Sequence, residues 1–275
     1  MRKLLIASQK GGVGKTTTAI SLATAAARTG RRVLLADADP LASITAALQL
    51  EPGNGRPRLG AAGRPGRWAL WEGAISGGDL LTPHDPQSES EAGLAAMLQR
   101  IAAPDLADRY DLVVLDAPPL LGPRTRLLLA GCDEMLLVSR ADPLGFRTLP
   151  PFLQLLKEIK QGAGKPSFHG ILLVLPPGQA AEGPWETQLR ALLGGRVLTP
   201  AVPHDETVGT AALHGQSVLT FAPAAPATRA YLTLAATLQI LGAPTPARAA
   251  PIPPTPAPAT SRTEAPRTPA LAGAR

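Results

Sequence analysis

Two lysines stand five residues apart in the run SQKGGVGKTTT, Ser8 to Thr18. Gly14, Lys15 and Thr16 match the end of the phosphate-loop pattern G-x-x-x-x-G-K-[ST]. The first glycine of that pattern is missing: Gln9 occupies its position, and a second lysine, Lys10, follows it. In such a loop the backbone N–H groups of Gly11, Gly12, Val13 and Gly14, with those of Lys15, Thr16 and Thr17, turn inward around a phosphate. Glycines permit the close approach, and the N-terminus of the following helix adds partial positive charge. Lys15 is then placed to reach the terminal phosphates, and the Thr16 hydroxyl to ligate Mg2+. Lys10 lies too far round to duplicate Lys15 on the same nucleotide, so it is surplus to a single site.

Carboxylates follow at the ends of apolar runs. RRVLLAD ends at Asp37, with Asp39 two residues on, and LVVLD ends at Asp116. Ligands of open α/β sheets bind outside the carboxyl ends of the strands, so Asp116 faces the loop and can act on Mg2+ through water. These residues require a scaffold of buried strands alternating with helices. KLLIAS (Lys3–Ser8), RRVLLAD (Arg31–Asp37), DLVVLDAPP (Asp111–Pro119), EMLLVS (Glu134–Ser139) and GILLVL (Gly170–Leu175) read as strands, and RVLTPAVP (Arg196–Pro203) as a short last one. Continuous apolar strands suit a sheet covered on both faces. The segment after the loop reads as a helix stopped by Gly30, and Pro226–Gly242 as the last helix. Trp68 and Trp71, three apart, suggest one face of a helix that packs into the core.

Composition sets further bounds. The chain has 275 residues, 45% apolar but only 3% aromatic, so the core is aliphatic. A single cysteine, Cys132, excludes a disulfide framework, favours a reducing cytoplasm, and reads as a small buried apolar residue. The apolar stretch at the start is too short for a signal peptide or a membrane span. The net charge of +6 invites a nucleic-acid reading. About half of it lies beyond Ala243, where Arg248, Arg262, Arg267 and Arg275 face only Glu264. That segment, 243–275, is dominated by Pro, Ala, Thr and Arg and reads as a disordered tail behind a single domain, 1–242. The stretch Glu51–Arg67, rich in Gly, Pro and Arg, reads as a flexible excursion. His84 and His169 show no metal spacing.

The loop K-G-G-V-G-K-T, with DADP (Asp37–Pro40) and YDLVVLDAPP (Tyr110–Pro119) downstream, resembles the deviant-Walker ATPases of the ParA/MinD family, closest to the ParA branch. The resemblance implies a P-loop NTPase fold: a mostly parallel twisted sheet with helices on both faces. It implies ATP and Mg2+ as cofactors and an ATP-closed homodimer in which Lys10 touches the partner's nucleotide. Asp39 would orient the attacking water and approach the metal through water, with Asp37 supporting it; Asp116 would be the Walker B residue. VPHDETVGTAALHGQSV (Val202–Val218) matches a family segment whose Pro203 and Asp205 would flank the adenine. The family's hydrolysis is slow and stimulated by a partner such as a ParB-like protein, and its ATP dimers bind non-specific DNA of the nucleoid. Departures occur: Leu41 and Ser43 replace Gln and Asn, Pro176 and Pro177 stand where an asparagine is usual, and His204, Thr207 and Gln216 occupy positions often basic. Arg190, Arg196 and Arg229 are nearby substitutes for DNA contact.

Other functions share the loop. A membrane-cycling MinD-like regulator needs a C-terminal amphipathic helix, which the proline-rich tail does not supply. A nitrogenase-reductase-like carrier needs two cysteines per chain for a shared iron–sulfur cluster. A bacterial tyrosine kinase carries a C-terminal tyrosine cluster, whereas Tyr110 and Tyr231 are the only tyrosines and neither is in the tail. An ATP-locked scaffold that scarcely hydrolyses, and a ParA-type engine moving a cargo other than DNA, remain as alternatives.

Overall fold

The computed structural model describes residues 1–39, 42–51, 59–60, 68–83, 90–118, 123–163, 166–179 and 183–242. The chain runs β1 (Arg2–Ala7), α1 (Lys15–Arg28), β2 (Val33–Asp37), α2 (Ser43–Ala47), β3 (Leu59–Gly60), β4 (Trp68–Ile75) and β5 (Gly78–Pro83). It continues through α3 (Glu91–Ala102), α4 (Pro104–Ala107), β6 (Leu112–Asp116), α5 (Pro123–Gly131), β7 (Glu134–Arg140), α6 (Pro143–Ala163) and β8 (Ser167–Val174). Then come α7 (Pro184–Leu193), a 3-10 turn (Gly194–Arg196), α8 (Glu206–Leu213), α9 (Val218–Phe221) and α10 (Pro226–Thr237).

One eight-stranded sheet has the order β3-β4-β5-β2-β6-β1-β7-β8. The pairs from β5 through β8 are parallel. Their runs are apolar without alternation because helices cover both faces. On one face α1, α2, α8, α9 and α10 enclose Leu4, Ile6, Leu35, Val114 and Leu136. On the other, α3 to α7 enclose Leu5, Leu34, Val113, Leu115 and Leu137. Leu4, Leu5 and Ile6 are fully buried, each contributing roughly 1.5–3 kcal/mol relative to exposure. Cys132 is buried among the second set, and burial raises its thiol to about 12.

Three expectations are corrected. Trp68 and Trp71 lie on strand β4, which pairs antiparallel with β5 and β3, not on a helix. Alternation then sends them to opposite faces: Trp71 enters one core and donates its indole N–H to Thr82 Oγ1 at 3.0 Å, while Trp68 packs against the other. Residues 59–60, inside the expected excursion, form β3. Arg196–Pro203 is not a continuous strand; it makes only the bridges Val197–Ile171 and Val202–Val174 beside β8. Pro200 and Pro203 have no N–H to donate to a ladder. Residues 243–275 and His84 lie outside the described residues.

Candidate nucleotide site

The topology opens a crevice at the carboxyl ends of β1 and β6. From β1 the chain crosses by α1 on one face to β2, and from β6 by α5 on the other face to β7. Helices that leave neighbouring strands on opposite faces diverge there, which is where open α/β sheets bind ligands. The loop between β1 and α1 fills this place. Gly12 (φ 68°) and Gly14 (φ 93°) adopt left-handed backbone that L side chains avoid, and a Cβ at Gly11 or Gly12 would point into open space. Gly14 caps α1 without a side-chain hydrogen bond, so the first N–H groups of the helix remain turned toward the loop. Val13 is buried and anchors the loop in the core beneath it.

Charge converges on that loop. Lys15 is buried, and desolvation pulls its ammonium below the usual lysine range although Asp116 and Asp39 oppose this. Its Nζ donates to the Lys10 carbonyl at 3.2 Å. Asp37 and Asp116 end adjacent parallel strands in register. Burial raises Asp37 to about 8 and Asp116 to about 7, in each case with further help from neighbouring carboxylates. Thr16 Oγ1 donates to Asp116 Oδ2 at 2.6 Å. The other oxygen, Asp116 Oδ1, is buried without a hydrogen-bond partner. Such an orphaned acceptor is costly unless something cationic or donating comes to it. Asp37 serves its own segment: Oδ1 accepts from Asp39 N and Oδ2 from Ile44 N, both at 3.0 Å, tying the end of β2 to the start of α2. Asp39 is thereby held buried beside the loop.

A cleft of about 480 Å³ continues from the loop. Gly12, Gly14 and Thr17 of the loop line it, together with Pro176, Pro177, Pro203 and Asp205. Asp205 also caps α8, accepting from Thr207 N (3.0 Å) and Oγ1 (2.6 Å), and takes the Ala227 N–H at 3.1 Å. Its carboxylate is therefore fixed by α8 and α10. Tyr231 lines the same cleft, and its hydroxyl meets Thr18 Oγ1 at 3.3 Å.

Lys10 is outside the cradle, its Nζ 3.3 Å from Asp142 Oδ2 at the start of α6. Sequence reading missed Asp142, Arg140 and Tyr231. The only signal for Asp142 was local: Asp before Pro143, a good helix cap. The arginines nominated for DNA divide. Arg190 pairs with Glu186 at 2.8 Å and donates to Val197 O, Leu198 O and Thr199 Oγ1. Arg229 donates to Ala224 O, and Arg196 is exposed on the 3-10 turn. His169 is bound to Glu134 at 2.6 Å. Among the described residues no group of three or more His, Cys, Asp or Glu forms a metal cage, and no helix is long and apolar enough to cross a membrane.

Comparison with known proteins agrees with this geometry. The chromosome-partitioning ATPase Soj of Thermus thermophilus is 35% identical over 239 residues, 86% of this chain and 94% of that protein. The McdA(D38A)–ATP complex of Cyanothece superposes with a TM-score of 0.69 at 22% identity, over 87% of this chain and 96% of that one. The septum site-determining protein MinD of Pyrococcus horikoshii, complexed with Mg-ADP, gives 0.68 at 20% identity over 86% and 95%. Residues 4–218 match the model of the CobQ/CobB/MinD/ParA nucleotide-binding domain, and the chain belongs to that family.

Proposed function

We propose that this protein is a ParA-type partition ATPase: it binds ATP with Mg2+, closes into a homodimer on the nucleotide, binds nucleoid DNA non-specifically, and hydrolyses ATP slowly until a ParB-like partner stimulates it. The observation that carries the reading is the pairing of an uncapped glycine-rich helix start with the orphaned Asp116 Oδ1 beside Thr16. A hard cation completes that pair of oxygens. Mg2+ is normally held by one or two protein oxygens plus phosphates rather than by a cage, which suits the described residues. Thr16 and, through water, Asp116 and Asp39 would hold it, and it would supply charge neutralisation at the terminal phosphates.

The remaining roles follow from placement. The loop amides from Gly11 to Thr17 cradle the phosphates, and Lys15 neutralises the terminal ones. Pro203 and Asp205 flank the base in the cleft. Asp39, fixed through Asp37, orients the attacking water, since phosphoryl transfer depends mainly on positioning and electrostatics. Lys10 serves the nucleotide of the second subunit. Such a protein works in the cytoplasm and on the nucleoid.

A second reading, a ParA-type engine whose cargo is not DNA, is favoured by Arg190, which is spent on Glu186 and three backbone or hydroxyl acceptors. One experiment separates them: DNA retention across a salt series, with ATP and with ADP, for the full chain and for residues 1–242. Retention of the shortened chain that needs ATP and falls steeply with salt supports the first reading. No ATP-dependent retention even at low salt removes it, and ATP hydrolysis without DNA binding then favours the second.

A further inference from the structure

All three polar groups of Lys10 are held within its own subunit. Its N–H donates to Ser8 Oγ at 3.2 Å, and its carbonyl accepts from Lys15 Nζ at 3.2 Å. Its ammonium meets Asp142 Oδ2 at 3.3 Å. Asp142 is itself fixed: Oδ1 accepts the Gly145 N–H at 2.6 Å, capping α6, and Arg140 Nε lies 3.1 Å from Oδ2. These neighbours hold the Asp142 carboxyl below the usual range, so it stays ionised.

The residue before Lys10 is anchored to the same helix. Pro150 and Pro151 lie inside α6 and remove two donors from its hydrogen-bond ladder. The Gln9 carboxamide lies at this break; with its amide assigned so that both ends find partners, its nitrogen faces the Thr148 carbonyl and its oxygen the Phe152 N–H. Gln9 therefore puts, where the loop pattern has a glycine, a side chain that contacts α6. Two successive loop residues thus grip α6 at its cap and at its break.

We propose that Asp142 is a latch on Lys10, holding the ammonium against α6 in the lone subunit, so that the dimer forms only when the phosphates of the partner's nucleotide displace this carboxylate. The latch rests on the assignment of Lys10 to the partner's nucleotide made above. It acts in two stages. Phosphates bound in the same subunit draw Lys15 away from the Lys10 carbonyl, which loosens the backbone. The Asp142 pair then remains, and only a second set of phosphates competes with it. Asp142 is a positioning residue: it acts through Lys10 and lies outside the phosphate cradle.

Asp142→Asn and Asp142→Ser test this, because both side chains cap a helix well while lacking the charge. The direct readout uses nucleotide-free protein. Each lysine is acetylated with a limiting amine-reactive ester, and the rate at Lys10 is followed by peptide mass spectrometry against Lys3 and Lys157. The latch predicts a several-fold faster rate at Lys10 alone in both variants. It also predicts a rise at Lys10 alone in the unsubstituted protein as salt is increased, which requires no variant to fold. Unchanged Lys10 labelling in variants and in salt overturns the latch. The second readout is dimerisation with ATP·Mg2+ by analytical ultracentrifugation. The latch predicts a midpoint shifted to roughly two- to thirty-fold lower protein concentration, the range of two partly exposed ion pairs, one released in each subunit. If the unsubstituted protein never dimerises with ATP, the dimer reading fails, and the labelling still decides whether Asp142 holds Lys10.

Discussion

Asp116→Asn should make the nucleotide-free protein more stable, and more so at pH 8 than at pH 5. The carboxylate ends a buried strand, and burial raises it from 3.8 to about 7 against the pull of the Thr16 hydrogen bond and of Lys15. A raised carboxyl keeps, when folded, a proton that the unfolded chain has already lost. Stability therefore falls as pH rises from about 4 to about 7, and the cost is complete above that. Between pH 5 and pH 8 about two units of this shift are traversed, worth roughly 2–3 kcal/mol at about 1.4 kcal/mol per unit. The asparagine removes the titration but keeps an oxygen for the Thr16 hydroxyl. Asp37, whose own rise to about 8 owes part to Asp116, relaxes in the same direction. Urea unfolding of both proteins in EDTA at the two pH values measures the gain. The expected gain is larger at pH 8 by that 2–3 kcal/mol, while affinity for Mg2+-nucleotide falls. An equal gain at both pH values refutes the claim that burial raises this carboxyl.

Three further outcomes are expected. Lys15→Ala should abolish tight ATP binding in a fluorescent-nucleotide titration, because the loop's other cation, Lys10, is turned away to Asp142 and the groups left in the cradle are neutral amides and hydroxyls; near-normal affinity would overturn the phosphate-loop assignment. Asp39→Ala should bind ATP and dimerise yet lose on the order of 10²-fold or more in turnover, and a parental hydrolysis rate would count against a water-orienting role. Removing residues 243–275 should leave Tm and ATPase activity unchanged, since Tyr231, Leu234, Leu238 and Ile240 already close the core; a large drop in Tm would place the domain boundary further along the chain.

The parallel strands were legible because burial on both faces writes itself as unbroken apolar runs, as in Leu112–Leu115. The phosphate loop was legible because its chemistry lies within eleven successive residues. The β4–β5 hairpin was not. Trp68 and Trp71 have helical spacing, and a register shift between Trp71 and Ile75 breaks the alternation that would have marked a strand. Lys10 could be recognised as surplus, but its partner is 132 residues away. No local pattern connects them; only the order β1-β7 brings them together. Arg190 shows the converse limit. In the sequence it was a free cation near a suspected DNA face, and its four acceptors became visible only once α7 was folded against the following turn.

Helix α6 meets a side chain from outside itself, the Gln9 carboxamide, at Thr148 and Phe152. The Phe152 amide proton is consequently an internal reporter on the phosphate loop. Withdrawal of Gln9 would speed its exchange with solvent, although the site lies where no nucleotide atom need touch it. Any ligand that shifts residues 9 and 10 is recorded there as a change in exchange rate. By reciprocity, a ligand on the outer turns of α6 that shifted Gln9 would change nucleotide affinity by the same factor.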